Sequence, residues 1–185
     1  MNDATPIDLA AALHALPHGL EFRFVDRLLA LEPGVHGTAE YLIRGDESCL
    51  RGHFPGYPLF PGVLLVEAAA QVAGVVAQSD PRIGALDGLK LTAIRGAKIT
   101  GSAGPGETLS ITARVTGRLG GLIQAEAEIR VRGRPVLTAV LALSGSDPAA
   151  VRAALEEQAL SLSPRSSSSP SPNPHPTSSP PASQG

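Results

Sequence analysis

From Val63 to Gln78 the chain is apolar at nearly every position, with only Glu67 and Gln71 breaking the run. No proline interrupts it, and its many Ala, Leu and Val residues include the strongest helix formers. At 1.5 Å per residue the run predicts a helix of about 25 Å. Because apolar residues occupy every side, this helix belongs in the interior and not on a surface. It is too short and too interrupted to cross a bilayer. Pro61 and Gly62 mark its start, since proline's fixed φ suits a first turn and its missing N–H costs nothing there. Ahead of it, Pro55, Pro58 and Pro61 make a turn-rich loop.

The flanking patterns are shorter. Leu9, Leu13 and Leu16 recur at helical spacing between Ile7 and Leu16, which predicts a short amphipathic helix stopped by Pro17. Phe22–Leu31 and Val35–Arg44 read as strands joined by a turn at Glu32-Pro33-Gly34. After the central helix, Gly88–Thr100 reads as a strand with Gly96 a possible bulge. Strands at Thr108–Arg118, Gly121–Arg132 and Pro135–Leu143 follow, with hairpin turns at Gly120-Gly121 and Gly133-Arg134. Ala125, Ala127, Ile129 and Val131 alternate with Glu126, Glu128, Arg130 and Arg132, so one face is dry and the other wet. This order of elements suits an α+β domain whose curved antiparallel sheet wraps one helix.

Two terminal segments stand apart. Asp147–Leu160 predicts an added amphipathic helix, with Asp147 as N-cap and Pro148 at its first position. Ser163–Gly185 is mostly Ser and Pro without apolar periodicity, and disorder is expected there.

Composition narrows the function classes. A chain of 185 residues is long enough for one well-built core. Its 15 Lys plus Arg against 17 Asp plus Glu give no reason to expect nucleic acid or an anionic membrane as partner. Cys49 stands alone, which excludes an intrachain disulfide framework. No basic stretch precedes an apolar run near Asp3 and Asp8, and a cytoplasmic protein without cofactor or metal is expected.

The chemistry concentrates around the central helix. Glu67 is a carboxylate inside an apolar run, and Gln71, four residues on, shares its face. His53 is the ionisable side chain at the entrance of the proline loop. Either alone reads as an ordinary solvated or packing residue. Flanking a rigid loop that ends at a helix N-terminus, they look like an acid and a base facing one site, with free N–H groups able to hold a developing oxyanion. His14 and His18 read as surface or packing histidines, and His175 lies in the tail.

His53-Phe54-Pro55-Gly56-Tyr57-Pro58-Leu59-Phe60-Pro61-Gly62-Val63-Leu64 and Glu67-Ala68-Ala69-Ala70-Gln71 resemble the active-site loop and central helix of the hot-dog-fold (3R)-3-hydroxyacyl-[acyl-carrier-protein] dehydratases (FabZ/FabA-type). Leu16-Pro17-His18, Val25-Asp26-Arg27 and Gly104-Pro105-Gly106-Glu107 extend the resemblance over roughly Leu16 to Leu143. It implies a hot-dog fold, which takes up 1–145; the added helix at 146–160 and the tail at 161–185 are read from the residues, and the tail is outside the family's pattern. It further implies His53 as base, Glu67 as acid, and Gly62, Gln71, Phe54 and Val63 as substrate-binding residues. In that role the Gly62 N–H would hold the thioester carbonyl, and Gln71 would position Glu67 or a water. Apolar surroundings disfavour a charged carboxyl, which would keep Glu67 able to donate.

Partners are implied too: an acyl carrier protein bearing the substrate, and a homodimer or trimer of dimers in which base and acid meet across the interface. The acyl chain would run along an apolar tunnel beside the helix. Lys90, Leu91 and Ile94 stand where relatives carry an aromatic residue, and Lys98-Ile99-Thr100-Gly101 replaces a basic-Phe-basic-Pro run. These departures fall on the tunnel gate and the carrier-docking region, away from the acid and base. Two other functions fit the fold: an acyl thioester hydrolase, and a non-catalytic acyl-binding module.

Overall fold

The computed structural model describes residues 7–162, so the Ser/Pro tail lies outside the described residues. The elements are α1 (Leu9–His14), β1 (Arg27–Glu32), β2 (His36–Leu42), α2 (Gly62–Gln78), β3 (Asp87–Ile99), β4 (Thr108–Leu119), β5 (Leu122–Val131), β6 (Arg134–Ser146) and α3 (Pro148–Leu162). The six strands form one antiparallel sheet in the order β1-β2-β4-β5-β6-β3. α2 links β2 to β3 and packs across the sheet, which curves around it: the hot-dog arrangement.

Alternation on β5 places Ile123, Ala125, Ala127, Ile129 and Val131 in the core and leaves Gln124, Glu126 and Arg130 in water. Leu65, Val66, Val72 and Val76 of α2 lie in the same core, fully or nearly buried. Burying each such side chain contributes about 1.5–3 kcal/mol. The helix comes close because Gly37 lies beneath it, where a Cβ would stand 2.7 Å from Val76 Cγ2. The last turn of α2 finds its partners outside the helix: Gly34 N–H and Ser79 Oγ donate to Val76 O, and Arg118 Nη1 donates to Ala77 O.

Several boundaries differ from the sequence reading. The first strand begins at Arg27, not Phe22, and a 3-10 turn occupies Leu20–Phe22. Gln71 explains this by taking Phe22 O and Phe24 N, two backbone groups a strand would have paired. The β5–β6 turn falls on Arg132-Gly133, whose φ values of 51° and 78° suit a tight hairpin. α3 starts where expected, with Asp147 Oδ1 accepting from Ala149 N–H, yet Val151 and Leu155 remain exposed instead of forming a buried face. Asp26 and Arg27 pair outward, Asp26 with Arg44 and Arg27 with Glu40. The expected irregularity near Gly96 is present as a register shift between Ile94 and Gly96.

Candidate active site

Residues 53–61 form a loop that closes on itself and delivers the chain to the N-terminus of α2. His53 O accepts from Leu59 N–H at 3.4 Å, and His53 Nδ1 lies 2.9 Å from Leu59 O. A carbonyl only accepts, so Nδ1 carries a proton, and in the neutral ring it is Nε2 that is bare. Phe54 follows at φ 66°, a left-handed conformation that costs a bulky residue about 1–3 kcal/mol. Its ring lies 4.3 Å from the imidazole, centroid to centroid. The turn before β4 buttresses the loop: Phe60 N–H donates to Ala103 O at 2.7 Å, and Gly104 sits against Pro58 O.

At the start of α2, Leu64 and Leu65 N–H both turn back to Pro61 O, which provides no side-chain cap. The Gly62 and Val63 N–H groups have no protein acceptor among the described residues. The Ile99 side chain overhangs Gly62, where a Cβ would approach Ile99 Cδ1 to 2.7 Å. Val63 is exposed beside it.

Glu67 and Gln71 lie one turn apart on the face of α2 that borders a cavity of about 470 Å³. Leu16 and Pro17, Gly74 and Val75 of α2, and Leu89 and Leu91 of β3 line it as well. Gln71 is buried and spends every polar group: Oε1 accepts from Phe24 N–H at 2.9 Å, while Nε2 donates to Phe22 O at 2.8 Å and to Glu67 Oε1 at 3.0 Å. Glu67 is therefore not in the wholly apolar setting that the helix pattern implies. Its side chain is 22% exposed and has polar company.

That company includes His18, read from the sequence as a surface or packing residue. Its Nε2 lies 3.4 Å from Glu67 Oε1, and it lines the same cavity. The only sequence signal for it was its place in Leu16-Pro17-His18, an outlying part of the resemblance. His53 does not line this cavity, and no hydrogen bond or ion pair joins it to Glu67 among the described residues. Within one chain the site residues form two groups: His53, Phe54, Gly62 and Val63 around the loop, and Glu67 with Gln71 on the cavity. Lys90 and Leu91, which depart from the aromatic pattern, line the cavity, whereas Ile94 is exposed on β3. Burial pushes the Cys49 thiol up, with Glu47 adding to the effect, so this thiol stays protonated and is a poor nucleophile.

Comparison with known proteins identifies the family and the fold. A family model described as a FabA-like domain matches residues 16–140. The chain is 36% identical to the 3-hydroxyacyl-[acyl-carrier-protein] dehydratase FabZ of Chloroflexus aggregans, over 72% of this chain and 92% of that relative. It is 34% identical to FabZ of Polynucleobacter necessarius, over 79% of this chain and 100% of that relative. Among solved structures, one titled the dehydratase heterocomplex ApeI:P from Xenorhabdus doucetiae matches with a TM-score of 0.63 at 16% identity, covering 81% of this chain and 99% of that one. A hypothetical thioesterase with coenzyme A from Streptococcus pneumoniae matches with a TM-score of 0.52 at 15% identity, over 65% and 84% of the two chains. At such identities the structural matches show the fold alone, while the sequence matches go further. By the family model and by these relatives, the chain belongs to the FabA-like family, among the FabZ-type 3-hydroxyacyl-[acyl-carrier-protein] dehydratases.

Proposed function

We propose that the protein dehydrates 3-hydroxyacyl thioesters carried on acyl carrier protein to trans-2-enoyl thioesters, in fatty-acid or related acyl-chain synthesis. Family membership supports the reaction. The observation that supports the division of roles is the hydrogen bond from His53 Nδ1 to Leu59 O, which places the neutral ring's one proton on Nδ1 and makes Nε2 its basic nitrogen.

In this reading His53 Nε2 takes the proton from C2, and the electron pair moves into the thioester as an enolate. The Gly62 N–H, at the positive end of α2, holds the enolate oxygen. The pair then returns to form the C2–C3 double bond as the C3–O bond breaks. Glu67 gives its proton to the departing hydroxyl, which leaves as water. His53 ends protonated and Glu67 ionised, and proton exchange with solvent resets both. The acyl chain lies in the cavity beside α2, past Gly74 and Val75, with Phe54 and Val63 near its head.

The separation of His53 from the Glu67 cavity supports a site completed by a second copy. β3 supplies a surface for that copy. It is a 13-residue strand at the edge of the sheet, paired among the described residues with β6 alone, and both Ile94 and Ile99 are exposed on it. A long bare edge of this kind pairs readily with another chain. We infer a homodimer joined along β3, as a dimer or as the unit of a trimer of dimers.

The test is turnover of a 3-hydroxyacyl carrier-protein substrate by wild type, His53→Ala and Glu67→Gln. Each variant is expected to lose about a hundredfold or more in rate. Full activity in either variant would remove that residue from the mechanism. Release of free thiol without dehydration would favour thioester hydrolysis instead.

A further inference from the structure

Two nitrogen groups converge on one oxygen of Glu67. Gln71 Nε2 donates to Oε1 at 3.0 Å, and His18 Nε2 stands 3.4 Å from the same atom. Oε2 has no protein partner among the described residues. A neutral carboxyl has one oxygen that only accepts and one that carries the proton. An oxygen facing two N–H groups takes the accepting role, which assigns the proton to Oε2.

We propose that His18 is a positioning residue for Glu67: with Gln71 it fixes Oε1, so that Oε2 presents the proton to the leaving hydroxyl. The proposal rests on the reading of Glu67 as the acid.

The surroundings of His18 favour the tautomer this needs. Its Nδ1 is buried and meets no hydrogen-bond partner among the described residues. Orphaned buried N–H groups are rarer than orphaned acceptors. The ring proton therefore belongs on Nε2, facing Glu67, with Nδ1 bare; an imidazolium would bury an N–H with no acceptor. The ring is also held in place. Pro17 precedes it, the Phe22 ring stacks on it at 6.4 Å and 27°, and Arg23 Nη2 donates to His18 O at 3.4 Å.

Phe22 and Phe24 are the residues whose backbone Gln71 pins. His18, Gln71 and Glu67 thus form one network between α2 and the segment after α1. The His18 contact is longer than an ordinary N–H···O bond. Catalytic contacts of this length shorten when substrate fills a site. Without His18 only Gln71 restrains the carboxyl, and either oxygen can face the substrate.

The test uses the full-length chain with 3-hydroxyoctanoyl-[acyl-carrier-protein] as probe, measuring kcat and KM separately for wild type, His18→Leu and His18→Gln, with urea unfolding of each. His18→Leu is expected to lower kcat by about ten- to hundredfold, the cost of a misplaced catalytic group. KM should change by less than about twofold, because substrate binding is not what His18 serves. His18→Gln, whose Nε2 can replace the ring donor, should recover most of the rate.

A second measurement stands apart from activity: nitrogen NMR of the wild-type histidine rings should show His18 as the neutral Nε2–H tautomer. The proposal is overturned if His18→Leu keeps wild-type kcat while Glu67→Gln is inactive. It is equally overturned if His18→Gln is no better than His18→Leu at equal stability, or if the spectra show an Nδ1–H tautomer. Should Glu67→Gln itself keep full rate, the acid assignment fails instead, and the tautomer decides the contact alone.

Discussion

Gln71 holds more of this molecule together than its place on a helix face announces. Its amide joins Phe22 and Phe24 to α2 and steadies Glu67, and it is only 2% exposed. Gln71→Leu keeps the approximate volume but strands a buried N–H and a buried carbonyl, each costing about 1–3 kcal/mol. The expected loss is about 2–4 kcal/mol in urea denaturation, with kcat falling as Glu67 loses its donor. A loss below about 1 kcal/mol would mean that water replaces the amide at no cost. The pairing of Glu67 with Gln71 was legible in the sequence, because four residues on a helix make neighbours. The contacts of Gln71 with Phe22 and of Glu67 with His18 were not. They span 49 residues, and local pattern carries no information at that range.

At the scale of elements, α2 and strands β2 to β6 were legible from uninterrupted apolar character and alternation. The start of β1 was not, since a distant side chain had taken its backbone partners. The close approach of α2 to the sheet was also invisible. It depends on Gly37, and Gly37→Ala should destabilise the fold by about 1–3 kcal/mol through overpacking against Val76. A wild-type denaturation midpoint would contradict that packing. The segment after β2 offers a pH test. Burial alone would push the Glu47 carboxyl up, but hydrogen bonds from the Arg44 and Gly45 N–H groups and the Tyr41 hydroxyl outweigh it and hold the group below its ordinary 4.5. A carboxyl depressed on folding contributes stability above its unfolded value and loses it as pH falls through the folded one. Melting temperature should therefore fall below about pH 4.5, and less steeply in Glu47→Gln than in wild type. Parallel profiles for the two proteins would show that these bonds do not set the acid response.

For the whole molecule, the sheet of the described residues ends at β3, which carries exposed Ile94 and Ile99, and His53 lies outside the cavity that Glu67 borders. The homodimer proposed above, paired along β3, would explain both features. Ile94→Asp, which places a charge on that edge, should yield a monomer by sedimentation and lose activity at least tenfold, the site being incomplete. An Ile94→Asp dimer with full activity would move the interface elsewhere. The most direct test of a shared His53/Glu67 site mixes His53→Ala with Glu67→Gln, dissociating and reassociating the chains. Each variant alone has every site broken. In a mixed dimer one site has both defects and the other has neither. Random reassociation should therefore restore about a quarter of wild-type dehydration. If the mixture stays as inactive as its parents while mixed dimers demonstrably form, His53 and Glu67 do not meet across copies, and the account is wrong.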